Sequence, residues 1–152
     1  MKAVIQRVKN ADVTVAGKVI GKCNAGYMIL FCAVDGDCES DIELLARKTA
    51  NLRIFEDQEG KMNKSILDIG GEVLCISQFT LAADTKKGNR PSFINAMEPM
   101  TASKYYDMYC DALTLTGIKS VEKGEFGADM QVRLVNDGPV TIVLDTDVWN
   151  KK

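Results

Sequence analysis

The chain has 152 residues, of which 46% are hydrophobic and 26% are charged; this composition is typical of a globular domain and argues against a disordered or fibrous chain. The formal net charge is -2, so broad, charge-driven binding to nucleic acid is not expected, although a small basic patch can still grip one RNA end. There is no histidine, which excludes a Ser-His-Asp or Cys-His site and any histidine-ligated zinc or iron site within the chain.

The cysteines and the first residues indicate a reducing compartment. The five cysteines, at positions 23, 32, 38, 75 and 110, form no CxxC pair, which favours free thiols that pack as small hydrophobic residues. No sustained apolar stretch follows Lys2, so no signal peptide is expected. The longest apolar run, residues 27–34, is too short to cross a bilayer. We expect a cytoplasmic protein without a membrane partner. Because no linker or repeat interrupts the chain, we also expect a single domain over residues 1–152.

The first third of the chain has the pattern of β-structure. Residues 3–8 alternate and are rich in β-branched side chains. Residues 13–15 and 18–20 flank a turn at residues 16 and 17, which predicts a hairpin. The continuous apolar run over residues 27–34 predicts a strand that is buried on both faces.

A first helix and two strands follow. Ser40 and Glu43 match a capping box. The spacing that follows predicts an amphipathic helix whose inner face carries Ile42, Leu45, Thr49 and Leu52. Residues 53–56 and 72–79 are predicted as strands, with a turn over residues 57–60.

A second helix is predicted to start near Pro99 and Thr101 and to stop at Gly117. Its tyrosines are interpreted as core rather than as a ligand platform, on an inner face made of Tyr105, Tyr109, Ala112, Leu113 and Thr116. The final strands are predicted over residues 118–122, 131–135 and 140–144. The elements together predict an α+β fold, a mostly antiparallel, β-barrel-like domain with two covering helices.

One polar segment stands at the end of a strand. Ser77, Gln78 and Thr80, with Phe79 between them, place two hydroxyls and an amide within four residues. Such groups orient a water or donate to an oxyanion. The competing interpretation is a strand end whose polar residues only form a turn, and composition alone favours it.

A second segment, residues 136–141, reads Asn-Asp-Gly-Pro-Val-Thr. Its composition favours a hairpin turn between two strands. A Gly138-Pro139 bond can also be cis at a cost of only about 0.5–1 kcal/mol. The two carbonyl groups would then point in nearly the same direction and act as a rigid pair of acceptors.

Between these segments, Lys86, Lys87 and Arg90 place three cations within five residues of an irregular connection over residues 82–98. Connections of this length inside a compact domain are often functional. The cations can bind phosphate, but a solvated loop explains them equally well.

With these residues in view, the whole chain resembles the bacterial-type D-aminoacyl-tRNA deacylase family. The segments that carry the resemblance are residues 1–8, 51–55, 61–63, 77–81 and 136–141. Each motif alone is weak, but the two signature motifs, the last two segments, occur together in the correct order and spacing.

The resemblance implies a homodimer of barrel-like subunits that acts on the 3′ end of aminoacylated tRNA, with no metal or organic cofactor. It implies active sites at the subunit interface and a cis bond between Gly138 and Pro139. This pair would enter the partner's pocket, hold the substrate's α-amino group and exclude an L side chain. Arg7 would help to fix the pair, and Met130 would line the adenine pocket, although Met130 as a core residue is about equally plausible.

The same resemblance gives a mechanism. Water attacks the ester carbonyl, backbone N–H groups near Phe79 and Thr80 stabilise the oxyanion, and the 2′-hydroxyl of the terminal adenosine assists the water. Ser77 and Gln78 would position the adenosine or the water. Thr80 as a covalent nucleophile ranks lower, because no residue of the chain is an obvious base for it. Glycine has no side chain to exclude, so glycyl-tRNA should also be cleaved to some extent.

Three other interpretations remain open at this point. A non-catalytic module that binds RNA ends would explain the loop cations and the missing base. A threonine-dependent hydrolase of small amides or D-peptides would make Thr80 essential. A purely structural dimer is the least favoured, since it gives both signature motifs no role.

Overall fold

The computed structural model describes residues 1–150. Its strands are β1 (Lys2–Val15), β2 (Lys18–Cys23), β3 (Gly26–Cys32), β4 (Phe55–Glu56), β5 (Met62–Lys64), β6 (Glu72–Ser77), β7 (Ser120–Lys123) and β8 (Gln131–Asp145). Its α-helices are α1 (Glu39–Asn51), α2 (Ile66–Ile69), α3 (Pro99–Leu115) and α4 (Thr146–Asn150). A turn of 3-10 helix follows β6 at Phe79–Ala82.

Strand β1 is the axis of the main sheet. Along one side it pairs antiparallel with β8 over almost its whole length. Along the other side its first half pairs with β3 and its second half with β2, again antiparallel. Strand β3 then pairs with β6, and β6 with β7, both in parallel. Each parallel pair is joined by a connection that carries a long helix, as parallel neighbours require.

The sheet curls until β2 lies against β7, which nearly closes a barrel. The backbone N–H of Lys22 donates to the Glu122 carboxylate at 3.1 Å across this seam. Gly21 is needed there, because a Cβ would lie 2.5 Å from the Lys123 carbonyl oxygen. The predicted α+β, barrel-like class is confirmed. The two parallel pairings and the short helices α2 and α4 are additions to the predicted pattern.

The predicted hairpin at residues 136–141 is wrong. Both halves of this region belong to the single strand β8, and both pair with β1. The register places Gln6 opposite Thr141 and Val8 opposite Asn136, so residues 137–140 loop out of the strand opposite Arg7. Turn-forming residues here make a protrusion from one strand rather than a reversal between two.

The predicted capping box of the first helix is also displaced. Helix α1 has Cys38 as its N-cap, and the Asp41 carboxylate accepts the Cys38 backbone N–H at 2.9 Å. Asp41 therefore takes the place predicted for Glu43, because its shorter side chain already reaches the first free N–H. The predicted inner face is confirmed at Ile42, Leu45 and Thr49, which are buried.

Helices α1 and α3 pack together over one face of the sheet. The tyrosines of α3 are core residues, as predicted, but Tyr106 is buried where Tyr105 was expected, and Tyr105 is only partly buried. Tyr106, Tyr109 and Leu113 follow the spacing of three and four that defines one helix face. The Tyr109 hydroxyl lies 2.8 Å from Thr49 Oγ1 and ties α3 to α1.

A second apolar cluster fills the curled half of the sheet, between β1, β2, β6 and β8. All five cysteines are free, as expected, and four of them are buried while Cys38 is exposed. Within residues 1–150, no helix combines the length and the apolar composition needed to cross a bilayer.

We predict that Leu45→Ala lowers the free energy of unfolding by about 2–5 kcal/mol, because Leu45 is 0% exposed between α1 and α3 and its removal leaves a cavity. The matched control is Leu115→Ala at the end of α3, where the side chain is 87% exposed and the change should stay within about 0.5 kcal/mol. Urea denaturation measures both values, and equal losses would contradict the packing described above.

Candidate active site

The polar segment lies where β6 leaves the sheet. The predicted strand over residues 72–79 ends earlier, at Ser77, and the Gln78 N–H still donates to the Phe31 carbonyl at 2.7 Å. The chain then turns into the 3-10 helix. Because the first N–H groups of a helix have no partner within it, the N–H groups of Phe79 and Thr80 are free of protein acceptors within residues 1–150.

A cavity of about 410 Å³ opens on one side of this segment. Four phenylalanines, Phe31, Phe79, Phe93 and Phe126, contribute to its walls, together with Met97 and Pro99. The rings of Phe79 and Phe93 meet edge to face, with centroids 5.1 Å apart. An apolar, aromatic cleft of this size has the character of a small-molecule or nucleobase site.

A second cavity, of about 270 Å³, opens on the other side and is lined by Met130 and Asp129, among others. The two cavities share one set of lining residues, which are Ser77, Gln78, Phe79, Phe126 and Gly127. The strand end and the segment around Phe126 therefore form a ridge between two adjoining spaces. The free N–H of Phe79 belongs to this ridge, and that of Thr80, which lines neither cavity, follows one residue later.

The ridge carries no activated nucleophile. The Thr80 hydroxyl is hydrogen-bonded to the Gln78 side-chain amide at 2.5 Å, and an amide cannot remove a proton. Burial raises the pKa of the Cys32 thiol in the larger cavity, which keeps it protonated and a weak nucleophile. The Glu98 carboxylate accepts the Met100 and Thr101 N–H groups at the start of α3, and the Met100 bond chiefly lowers its pKa.

The Gly138-Pro139 bond is cis, and both residues are exposed at the tip of the β8 protrusion. Asn136 closes the neck of the protrusion: its side chain accepts the Val140 N–H at 3.0 Å and donates to Thr141 at 3.1 Å. Neither tip residue lines either cavity of the same chain. Within one chain, the tip of the protrusion therefore lies outside both cavities.

The Arg7 side chain holds the protrusion in place by hydrogen bonds. It is buried, with 6% of the residue exposed. Nε donates to the Asp137 carbonyl at 3.0 Å, and Nη1 donates to the Ile54 carbonyl at 2.7 Å. Gly138 has φ +136°, and a Cβ there would lie 2.7 Å from Val140 Cγ2. The protrusion is therefore a shape fixed by buried contacts rather than a loose loop.

The three loop cations lie away from the ridge. Lys86, Lys87 and Arg90 are exposed and form no ion pair within the described part of the chain. Backbone pairing between Asp84 and Ser92 closes their loop at its base. The loop leaves the 3-10 helix at one end and returns to Phe93, in the wall of the larger cavity, at the other.

Sequence reasoning missed the residues that complete the walls of the cleft. Phe93 lies inside the irregular connection over residues 82–98, where only the cations were predicted to bind a ligand. Phe126 and Gly127 lie between two predicted strands. Aromatic residues beside glycine in such connections were the available signal. Only the fold brings these residues to the ridge.

The fold and the cleft together place the chain among α+β proteins with a barrel-like sheet and a cleft at a strand end. The model of the family described as D-Tyr-tRNA(Tyr) deacylase matches residues 4–145. The chain belongs to this family.

Several relatives agree with this membership. Proteins named D-aminoacyl-tRNA deacylase from Roseiflexus castenholzii and Ruegeria pomeroyi are 54% and 53% identical to this chain, covering 99% and 95% of it and 96% and 99% of their own lengths. A solved structure described as c-Myc DNA Unwinding Element Binding Protein has a TM-score of 0.89 at 43% identity, covering 95% of this chain and 98% of its own. A probable eukaryotic D-amino acid tRNA deacylase, at 16% identity and TM-score 0.81 over 94% of this chain and 97% of its own, shares the fold.

We predict that Arg7→Lys lowers the free energy of unfolding by about 1–3 kcal/mol, because one ammonium cannot reach both carbonyls that the guanidinium satisfies and a buried acceptor is left unpaired. The control is Arg53→Lys: Arg53 also bonds two acceptors, both on Asn63, but it is exposed, and we expect a change within about 0.5 kcal/mol. Denaturant titrations measure both free energies of unfolding, and equal losses in the two variants would contradict the role of Arg7 in holding the protrusion.

Proposed function

We propose that this chain hydrolyses the ester of D-aminoacyl-tRNA and releases free tRNA and a D-amino acid. The observation that carries the proposal is the pair of free N–H groups on Phe79, in the ridge between two cavities, and on Thr80, the next residue. Membership of the deacylase family supports it, and so do the names of relatives that share more than half of its residues. The substrate and its use in translation place this activity in the cytoplasm.

The reaction needs little acid–base chemistry from the protein. A water oxygen bonds to the ester carbonyl carbon, and the carbonyl oxygen becomes an oxyanion that the two N–H groups receive. The C–O bond to the ribose then breaks, and the ribose oxygen takes a proton. A single donor of this kind typically contributes about 2.7–4 kcal/mol. We assign the proton transfer to the 2′-hydroxyl of the terminal adenosine, since the ridge carries no activated base: it takes the water proton and passes its own proton to the departing ribose oxygen.

The two cavities suit the two sides of the ester. The larger one is apolar and aromatic, which favours stacking of the adenine, worth about 1–3 kcal/mol per base. We place the adenine against Phe79, which lines both cavities, so that it meets either Phe93 in the larger cavity or, as the resemblance implies, Met130 in the smaller one. The acyl side of the substrate then takes the other cavity. Ser77 and Gln78, which line both cavities, would hold the ester and the water between them.

The chiral test requires a second subunit. The tip at Gly138 and Pro139 lies apart from the ridge of its own chain, so we propose that it enters the cleft of a partner in a symmetric dimer. There its carbonyl groups would hold the α-amino group and exclude an L side chain. Strand β8 supports such pairing, because within residues 1–150 it pairs with β1 alone and exposes Val135 and Val143.

Two finer expectations follow. Glycyl-tRNA should be cleaved as well, because exclusion of an L side chain gives no reason to reject an amino acid that has no side chain. The cation loop, with Lys86, Lys87 and Arg90, extends from the mouth of the larger cavity, and we propose that it contacts phosphates near the 3′ end of the tRNA.

The decisive assay compares D- and L-tyrosyl-tRNA, each made with a normal or a 2′-deoxy terminal adenosine. We expect rapid release of D-tyrosine only from the D form with an intact 2′-hydroxyl, and Thr80→Ala should keep measurable activity. Full activity on the deoxy substrate, with none in Thr80→Ala, would favour the threonine nucleophile instead. Binding of the tRNA without release of amino acid would favour a non-catalytic module that holds RNA ends.

Mixed dimers test whether the tip acts across subunits. Ser77→Tyr should block both cavities, since Ser77 lines both, and Gly138→Val should distort the tip, where a side chain does not fit. Each variant alone should be inactive. After unfolding and refolding together, half of the dimers are mixed and each has one complete site, so roughly a quarter of the wild-type rate should return. No recovery in verified mixed dimers would show that tip and cleft belong to one subunit.

A further inference from the structure

Tyr106 makes a contact that the mechanism above does not use. It lies on the inner face of α3 with 2% of its surface exposed. Its hydroxyl donates to the Cys75 carbonyl of β6 at 2.6 Å and accepts the Gly124 N–H at 3.1 Å. Burial raises the pKa of this hydroxyl, so it keeps the proton that the first of these bonds requires.

These two bonds join the parts of the chain that form the cleft. Cys75 lies two residues before Ser77 on the same strand, and Gly124 opens the connection between β7 and β8. We call residues 124–130 the wall segment, because Phe126, Gly127 and Met130 in it line one or both cavities. The wall segment has few other ties to the sheet: the Gly124 N–H also reaches the Cys75 carbonyl, at 3.2 Å.

The packing around Gly124 and Tyr106 leaves little freedom. A Cβ on Gly124 would lie 2.6 Å from the Met130 sulfur and 3.1 Å from Ile76 Cδ1, so the backbone at this point touches the side chains that line the smaller cavity. The Tyr106 ring lies 6.3 Å from that of Phe126, centroid to centroid, and 6.2 Å from that of Phe31. The hydroxyl and the ring of Tyr106 therefore both approach the wall segment, at Gly124 and Phe126, and the sheet, at Cys75 and Phe31.

We propose that Tyr106 is a positioning residue. Its hydroxyl fixes the wall segment against β6 and so sets the width of the two cavities that the ridge separates. It touches no substrate itself. Its effect should fall on substrate binding, because it holds the cavity walls and not the N–H groups of Phe79 and Thr80. The inference rests on the proposed deacylase function for its kinetic readout only.

The test uses two tyrosines of one helix. Tyr106→Phe removes a single oxygen atom from the anchor, and Tyr109→Phe removes one from an equally buried hydroxyl that bonds Thr49 of α1 instead. For Tyr106→Phe we expect KM for D-tyrosyl-tRNA to rise roughly 3- to 10-fold, the effect of one lost hydrogen bond, with kcat within about twofold. Tyr109→Phe should leave KM unchanged, even if both variants lose similar thermal stability.

Amide hydrogen exchange gives a readout that needs no substrate. In the wild-type protein the Gly124 amide should exchange as slowly as those of β6, and in Tyr106→Phe it should exchange at least about threefold faster. An unchanged KM in active Tyr106→Phe, an equal rise in Tyr109→Phe, or a Gly124 amide unaffected by the change would each overturn the positioning role. A wild-type chain that releases no D-tyrosine would instead contradict the proposed function, and the exchange rates would still decide whether Tyr106 anchors the wall segment.

Discussion

The buried guanidinium of Arg7 is the constraint on which the shape of β8 depends. A charge placed in the interior is tolerated only when its donors find acceptors, and β1 offers none to a side chain that points into the core. The Ile54 carbonyl and the Asp137 carbonyl supply them. To bring the second one within reach, four residues of β8 must face one residue of β1, and the surplus chain becomes the protrusion with Gly138 and Pro139 at its tip. The same arginine, although costly to bury, therefore fixes the shape of the exposed protrusion.

The cleft depends on a different part of the sheet, the parallel strands β3, β6 and β7. Strands β3 and β6 run in parallel, so a helical connection must return the chain to the same end of the sheet, and the same applies to β6 and β7. The carboxyl end of β6 is left between α3 on one side and the wall segment on the other. A strand that ends there, in a 3-10 turn, leaves the N–H groups of Phe79 and Thr80 without acceptors within residues 1–150. The tip and the ridge thus belong to separate parts of one sheet, which is why one chain holds both but does not bring them together.

The sequence predicted local structure well and long-range structure in part. Periodicity identified the buried strand β3 and both long helices, because burial of one face dictates where apolar residues fall. It placed Tyr105 in the core instead of Tyr106, an error of one position that only the contact with β6 corrects. Strand, helix and strand alternate along residues 26–77 and 72–123, the order in which the structure forms its two parallel pairs, whereas a mostly antiparallel sheet was predicted. The composition of residues 136–141 favoured a hairpin, since turn residues reveal a bend but not whether the chain continues along the same neighbour.

The chemistry of the cleft explains how a chain without histidine can belong to a family of deacylases. The two titratable groups named in the wall of the larger cavity are not free to act as bases: burial keeps the Cys32 thiol protonated, and the Glu98 carboxylate accepts N–H groups at the start of α3. What remains around the larger cavity is a set of fixed dipoles and an apolar space of defined shape. An ester between an amino acid and a ribose is already activated, so placement of the carbonyl against preorganised donors is sufficient, and the demand that remains is selectivity. A rigid backbone can supply this selectivity better than titratable side chains, because a carbonyl group that is held by the fold keeps its position at any pH.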